Sequence, residues 1–198
     1  MISVAAVPLM RGLGGSQSSR AAAQILVSAL EQARTAAILS GTNAFLLLAD
    51  PVLTTSLQTN TDALIRLRTF TLARPTVDQD GNSRDDFATN SPAPGWVQLG
   101  KWERLPADLV FSPRRLEALA QTTPALVFPP PQRTPSPLRQ IGFTPSGELT
   151  ETNGTNGLLF ASARITNVEG KFPADRIEVS YYSGRVRYVG LVTNNPNF

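Results

Sequence analysis

The stretch LVSALEQARTAAILSG, residues 26–41, holds the pattern that decides the fold. Its apolar residues recur at intervals of three and four, which places them on one side of an α-helix. The pattern starts upstream, where Ser18 or Ser19 suits the N-cap position, and Gly41 stands where a left-handed residue ends many helices. We therefore predict a helix from Ser18 or Ser19 to Ser40, about 33 Å long.

The apolar side of this helix consists largely of alanine, which lets a partner approach closely but buries little area per residue. The larger side chains would supply most of the packing energy, about 1.5–3 kcal/mol each when fully buried. After Ala29 we expect the stripe to pack on the chain's own sheet rather than on another subunit. The residues predicted to lie between helix and sheet are Ile25, Leu26, Ala29, Leu30, Ala33 and Ala37.

The chain after Gly41 changes from helical to strand patterning. Residues 43–49, NAFLLLA, are a short apolar run closed by Asp50 and Pro51, as expected of a buried strand. A loop is predicted at 74–95 and a short helix at 114–121. Further strands are predicted at 64–72, 96–105, 109–111, 125–128, 141–143, 158–163, 177–182 and 185–192.

The last two predicted strands form a hairpin in which Ser183 and Gly184 make a two-residue turn. One N-terminal helix followed by antiparallel strands is an α+β fold in which the helix packs on the sheet. We therefore divide the chain into a helical segment, residues 1–41, and a globular antiparallel β head, residues 42–198.

The composition excludes several classes of chemistry. Cysteine and histidine are absent from the 198 residues, so disulfides, thiolate nucleophiles, zinc fingers and histidine-based triads cannot form. Ser146 and Ser183 lie in turn motifs and have no histidine to activate them. The net charge of +3 is too small to indicate nucleic-acid binding by itself. We predict a protein that is not an enzyme, with no cofactor and no small-molecule substrate.

The first ten residues are apolar on all sides, and Pro8 interrupts them. Such a segment at a chain terminus has no evident partner within its own domain, so we expect it to face lipid or a filament. The residues concerned are Ile2, Val4, Val7, Pro8 and Leu9. The glycines within residues 12–16 predict a kink or local melting of the helix, since each costs about 1 kcal/mol relative to alanine.

Six segments, in their order along the chain, carry a family resemblance. They are residues 2–8, the Ala33-Arg34-x-x-Ala37-Ile38 core of the helix, residues 45–49, Leu105-Pro106 before residues 109–111, residues 141–147, and residues 177–179 with 183–187. This layout resembles the type IV pilin-like superfamily, closest to the H-type minor pseudopilins of type II secretion systems. The likeness covers both ends of the chain, whereas residues 74–140 match only at scattered points.

The resemblance implies a long N-terminal helix packed on a two-sheet antiparallel head. It also implies assembly with other pilin or pseudopilin subunits, into a secretion pseudopilus or a type IV pilus. An inner-membrane anchor with a periplasmic head, and the family's prepilin N-terminal methylation, would accompany it. The family's leader peptide, Phe-Thr-Leu start and fifth-position glutamate are not seen here. A shortened chain, a misassigned start codon and a degenerate copy all remain open as explanations.

A second resemblance keeps another function open. DNA-uptake minor pilins of the same superfamily contact DNA through a Gly-Arg-x-Arg motif, which matches residues 184–187 here. Arg185 and Arg187 stand two apart on a predicted strand, so both would point to one face and could address successive phosphates. The same residues also suit an ordinary hairpin, in which the arginines form a solvated face. We favour the hairpin and keep DNA binding as the alternative.

An acidic loop is the one candidate for a metal site. Asp78, Asp80, Asn82 and Asp85 could supply several of the oxygen ligands that calcium requires. The glycine at position 81 does not fit an EF-hand, however, and no glutamate closes the loop. We therefore favour a solvated acidic loop over a calcium site.

Overall fold

The computed structural model describes residues 6–49, 68–75, 96–122, 138–150, 157–162 and 174–192, and in the first helix it describes side chains from Gln17 onward. Within these residues, one long helix is followed by ten strands and a second, short helix. Every strand pairing is antiparallel. The α+β class and the helix-on-sheet arrangement predicted from the sequence are confirmed.

The first helix, α1, runs from Ala6 to Ser40 over 35 residues, which corresponds to about 52 Å. The prediction that it begins at Ser18 or Ser19 is wrong, because both residues lie inside it. Intrinsic propensity is a weak signal that neighbouring helical turns override. At its C-terminal end Gly41 adopts a φ of 65° and ends the helix as predicted.

The strands form two sheets. The first sheet has the order β3-β2-β1-β7-β6, with β4 also paired to β2, and the second has the order β10-β9-β8-β5. The strands of the first sheet are β1 (Ala44–Ala49), β2 (Thr69–Pro75), β3 (Trp96–Gln98), β4 (Glu103–Arg104), β6 (Ala120–Thr122) and β7 (Leu138–Phe143). Those of the second are β5 (Leu109–Phe111), β8 (Gly157–Ser162), β9 (Ala174–Val179) and β10 (Val186–Val192).

The main hydrophobic core lies where α1 meets both sheets. Leu26 and Leu30 of the helix share it with Phe143 of the first sheet and with Phe160 and Ile177 of the second. Because one continuous cluster joins the helix to both sheets, α1 and the two sheets share a single core.

The central strand β1 is buried on both faces. Leu46 and Leu48 face the main core, whereas Phe45 and Leu47 belong to a smaller cluster on the other face of the sheet. Trp96 of β3 covers that cluster and packs edge-on against Phe45, with 5.3 Å between ring centroids. This double burial explains why residues 44–49 are continuously apolar rather than alternating.

Several predicted elements differ from the structure. The predicted strand 96–105 is divided into β3 and β4 by a turn around Gly100. The predicted helix 114–121 is a short helix, α2 (Pro113–Glu117), because Ala120–Thr122 pair instead with β7. The predicted loop at 74–95 begins later, since β2 continues to Pro75. The predicted strand 125–128 lies outside the described residues.

The closing hairpin, β9 and β10, has a longer connection than predicted. Val179 pairs with Val186, so six residues separate the strands instead of the two at Ser183 and Gly184. The amide of Ser180 donates to the carbonyl of Arg185, and the amide of Gly184 donates to the carbonyl of Ser180. These backbone bonds leave the Tyr181 and Tyr182 side chains packed edge-on to each other in the turn.

Candidate assembly surface

The stem is α1, and one of its faces is embedded in the head. The described core residues of this face begin at Ala22 and end at Ala37. The predicted packing residues Leu26, Ala29, Leu30, Ala33 and Ala37 are all buried there, and Ile25 is partly buried against the same cluster. Between Ala6 and Ala21 the helix continues for a further 24 Å or so.

The opposite face of the stem is polar but carries little charge. Gln24, Ser28, Gln32 and Thr35 are exposed along it at helical spacing. Gln32 donates to the hydroxyl of Ser28 at 3.1 Å, so these side chains satisfy one another along the helix. An uncharged helix face can be covered by a partner without the desolvation of ionised groups.

Two charged residues join the stem to the turns of the head. Arg34 Nε donates to the carbonyl of Gly147 at 3.2 Å, and Glu31 Oε1 accepts from the amide of Val186 at 3.2 Å. The two side chains also form an ion pair one helical turn apart, with Arg34 Nη1 at 3.6 Å from Glu31 Oε2. One turn of α1 therefore holds both the 144–147 turn and the start of β10.

Glycine is required where these two turns meet. Gly147 and Gly184 have φ values of 83° and 59°, a conformation that L-residues adopt only with strain. A Cβ atom on Gly184 would overlap the carbonyl oxygen of Gly147 and lie 3.0 Å from Arg34 Nε. Because neither glycine carries a Cβ atom, the two backbones can approach closely and the Arg34 side chain can pack against both turns.

The Gly-Arg-x-Arg segment lies at the start of β10. Both Arg185 and Arg187 are exposed. Arg187, however, donates through Nε and Nη2 to one carboxylate oxygen of Glu178, at 2.9 and 2.6 Å. Glu178 also forms an ion pair with Arg176, so this outer face of the sheet alternates positive and negative charge.

On the inner face of the same hairpin, Tyr188 donates its hydroxyl to the buried carboxylate of Asp175. Burial and this hydrogen bond raise the pKa of Tyr188 to about 12, and the positive charge of Arg20 on α1 acts in the opposite direction. The start of β10 lies beside the stem, since Glu31 of α1 accepts a hydrogen bond from the amide of Val186 at 3.2 Å.

A buried cation lies under the second sheet. Arg115 of α2 donates from Nε to the carbonyl of Gly157 at 3.2 Å. Burial, reinforced by the charge of Arg176, lowers the pKa of Arg115 to about 10. This arginine ties α2 to β8 and is a structural element of the head.

For some predicted site residues, the structure describes no side chain or no position at all. Ile2 and Val4 lie outside the described residues, as do the calcium candidates Asp78, Asp80, Asn82 and Asp85. Val7, Pro8 and Leu9 belong to α1, and only their backbone is described. In the described parts of the chain, no helix has both the length and the apolar composition required to cross a bilayer.

Sequence reasoning did not identify the roles of Glu31, Asp175 and Tyr188. The position of Glu31 three residues before Arg34 was the one local signal available. The bond from Tyr188 to Asp175 joins two neighbouring strands and depends on their register, so no local pattern reports it.

The solved structures that are similar to this chain include two of the minor pseudopilin EpsH from the type II secretion system of Vibrio cholerae. One has 17% sequence identity and a TM-score of 0.44, with 87% of this chain and 97% of that chain covered. The other has 14% identity and a TM-score of 0.45, with 90% and 98% covered. No protein-family model and no curated protein sequence matches the chain. EpsH is a minor pseudopilin, the class of protein that the chain resembles in sequence.

Proposed function

We propose that this chain is a structural subunit of a pilin-like filament, of the minor pseudopilin kind, in a type II secretion pseudopilus. A type IV pilus is the alternative assembly. The partners of this chain would be other pilin-like subunits. Its apolar N-terminal residues would anchor it in the bacterial inner membrane, with the head in the periplasm. In this role the protein works by assembly, so it needs no catalytic group.

One observation carries the proposal: α1 runs for 35 residues, and among its side chains described from Gln17 onward, those in the core of the head lie between Ala22 and Ala37. The described core contacts of the helix begin at Ala22, although the helix itself begins at Ala6. Contact of such a helix with the next subunit along an axis is heterologous and does not close, so it propagates as a filament. The uncharged exposed face from Gln24 to Thr35 suits burial between neighbouring helices.

Cysteine cross-linking tests this assembly, because the natural chain has no cysteine. The variants Gln24→Cys and Ser28→Cys place single thiols on the exposed stem face, and Val97→Cys places one on the first sheet as a matched control. Each would be produced with the pilin-like subunits encoded beside it in its source genome, and treated with a short bis-maleimide. We expect the two stem variants to cross-link to those subunits more strongly than the Val97 variant.

Equal yields from the stem variants and the control would contradict assembly through α1. Neighbouring genes for a secretion ATPase and a secretin would support the secretion setting, whereas competence genes would support DNA uptake.

DNA uptake through Arg185 and Arg187 is the alternative function. A phosphate would compete with the Glu178 carboxylate for Arg187, which weighs against this reading. It predicts salt-sensitive binding to duplex DNA in a mobility-shift assay, lost in the Arg185→Ala, Arg187→Ala double variant. Binding that persists in the double variant would remove this alternative.

A further inference from the structure

The exposed face of α1 changes from polar to apolar at its C-terminal end. Along most of its described length this face carries uncharged polar side chains at helical spacing, Gln24, Ser28, Gln32 and Thr35. The same spacing continues to Leu39, which is 82% exposed, and Ile38 beside it is 44% exposed. From Gln17 onward, these two are the exposed large apolar side chains of the helix. The solvent-facing side of the stem therefore ends in an apolar patch, Ile38 and Leu39.

The same end of α1 has no cation of its own. The C-terminal end of a helix carries a partial negative charge, which a nearby basic side chain stabilises. The last turn of α1 contains no basic residue, although residues 38–41 are all exposed. Arg34, one turn earlier, donates instead to the carbonyl of Gly147. The Ser40 hydroxyl donates to the carbonyl of Ala36 at 2.7 Å, but it brings no charge. An apolar patch is thus followed directly by the negative end of the helix.

The N-terminal end of the chain has the complementary order. Residues 2–10 are apolar, and Arg11 follows them immediately. Within α1, Leu9 and Arg11 are separated by about 3 Å along the axis. The end of the helix at Gly41 lies about the same distance beyond Leu39. When Leu9 of one copy lies level with Leu39 of another, Arg11 is therefore level with the end of the helix.

We propose that the last turn of α1 receives the N-terminal segment, residues 2–11, of a second copy of this chain. The inference rests on the proposed function, in which subunits assemble through α1. The two stems are parallel and are shifted by about 45 Å, the axial rise from Leu9 to Leu39. Each copy offers the two ends of its helix to two different neighbours, so the contact is heterologous and repeats along a filament.

A smaller shift between the stems fits less well. If the shift were two helical turns shorter, about 11 Å, Leu9 would lie level with the polar Gln32 and would leave Leu39 exposed. The same change would bring Arg11 level with Arg34, and two like charges repel each other. Leu39 and the end of the helix therefore select one register together.

Mixed single-cysteine chains test this contact, since the natural chain has no cysteine. A tagged Leu39→Cys chain is combined with an untagged Leu9→Cys chain and treated with a short bis-maleimide. We expect the mixed product to exceed its share in a random mixture of the three possible pairs. Ser28→Cys is the matched control, because it lies on the same exposed face about 16 Å from Leu39. Equal yields from positions 28 and 39, or an excess of the symmetric 39–39 product, would overturn the proposal.

A charge variant tests the role of Arg11. In the Leu9→Cys chain, Arg11→Gln should lower the yield of the mixed product about twofold to fivefold, the effect of one cation at a helix end. Arg20→Gln removes the same charge from the same helix and should leave the yield unchanged. Equal losses in both variants would reduce the effect to net charge and overturn the assigned register.

A polar substitution tests the apolar patch. Leu39→Gln should weaken self-association in sedimentation about tenfold or more, the loss expected for one leucine side chain that becomes buried. Thr35→Gln, on the same face, should not. The stability of both variants in urea should match that of the natural chain, because both side chains are exposed in the single subunit. Unchanged self-association of Leu39→Gln would contradict the proposal.

This proposal and the filament role fail separately. If position 39 cross-links only to other pilin-like subunits, the patch belongs to them and the contact between copies is refuted, whereas the filament role stands. If the mixed 39–9 product forms but the stem cysteines at positions 24 and 28 do not cross-link to other subunits, the contact between copies stands and the role among other pilin-like subunits is refuted.

Discussion

Arg34 on the stem donates a hydrogen bond from Nε to the carbonyl of Gly147 at 3.2 Å, across 113 residues of sequence. Glu31, one helical turn earlier, accepts from the amide of Val186 at 3.2 Å. These two bonds fix α1 to two separate turns of the head. Since the apolar stripe of the helix is mostly alanine and offers few large side chains, this polar junction adds the directional contact that sets the rotation of the head about the stem.

Removal of the Arg34 side chain should loosen this junction. Arg34→Ala loses a partly buried hydrogen bond from a charged donor, which typically contributes about 1.5–3 kcal/mol. We expect the free energy of unfolding, measured in urea, to fall by that amount. Gln32→Ala is the matched control, since Gln32 is exposed on the same helix and bonds only to Ser28 among the described residues. A loss no larger than that of the control would show that the junction does not stabilise the fold.

Alanine substitutions at two glycines with similar φ values distinguish the cost of backbone strain from the cost of steric overlap. Gly41 and Gly184 have φ values of 65° and 59°, but a Cβ on Gly41 meets no atom within 4 Å, whereas one on Gly184 overlaps the carbonyl oxygen of Gly147. Gly41→Ala should cost about 1–2 kcal/mol, the strain of a left-handed alanine. Gly184→Ala should cost about 1–3 kcal/mol more, because the two turns must move apart.

Urea denaturation of both glycine variants gives this comparison directly. Equal losses of stability would mean that the two turns separate freely and that their close approach is not needed to hold Arg34.

The raised pKa of Tyr188 predicts that the stability of the fold falls at alkaline pH. Tyr188 has a folded-state pKa raised to about 12, by burial first and by its bond to Asp175 second, against an ordinary value near 10. Above pH 10 the unfolded chain releases this proton while the folded chain still holds it. The contribution of Tyr188 is therefore fully present below about pH 10 and is lost as the pH rises toward 12.

Urea midpoints measured from pH 9 to about 12 in the wild-type chain and in Tyr188→Phe would check this dependence. The variant should lose stability less steeply over the range, because it has no phenol to ionise at this position. Parallel curves for the two proteins would contradict the assigned pKa shift.

The sequence predicted the stem and most strands because their signals are local. The three- and four-residue spacing from Ile25 to Ala37 identifies a buried helix face without knowledge of its partner, and Gly41 marks its end. The start of α1 was missed because the glycines of residues 12–16 were weighed by intrinsic propensity, which is a small effect beside continuing helical hydrogen bonds.

The hairpin shows where local reasoning failed. Ser183 and Gly184 look like a two-residue turn, but the pairing of Val179 with Val186 makes the connection longer. Gly184 is needed for its contact with Gly147 instead. The register of β10 against β9 also shifts between Tyr188 and Gly190, and this β-bulge decides which face Leu191 occupies.

By itself, the sequence determined the class of chemistry and the order of the elements. The absence of cysteine and histidine, the alanine-rich stem and the following apolar strands are properties of residue type and spacing, which act over a few neighbouring positions. The tertiary structure alone decided which polar groups meet. Arg34 with Gly147, Arg187 with Glu178, and Tyr188 with Asp175 depend on strand register and on how the helix lies across the sheets, and those are set by the packing of the whole core.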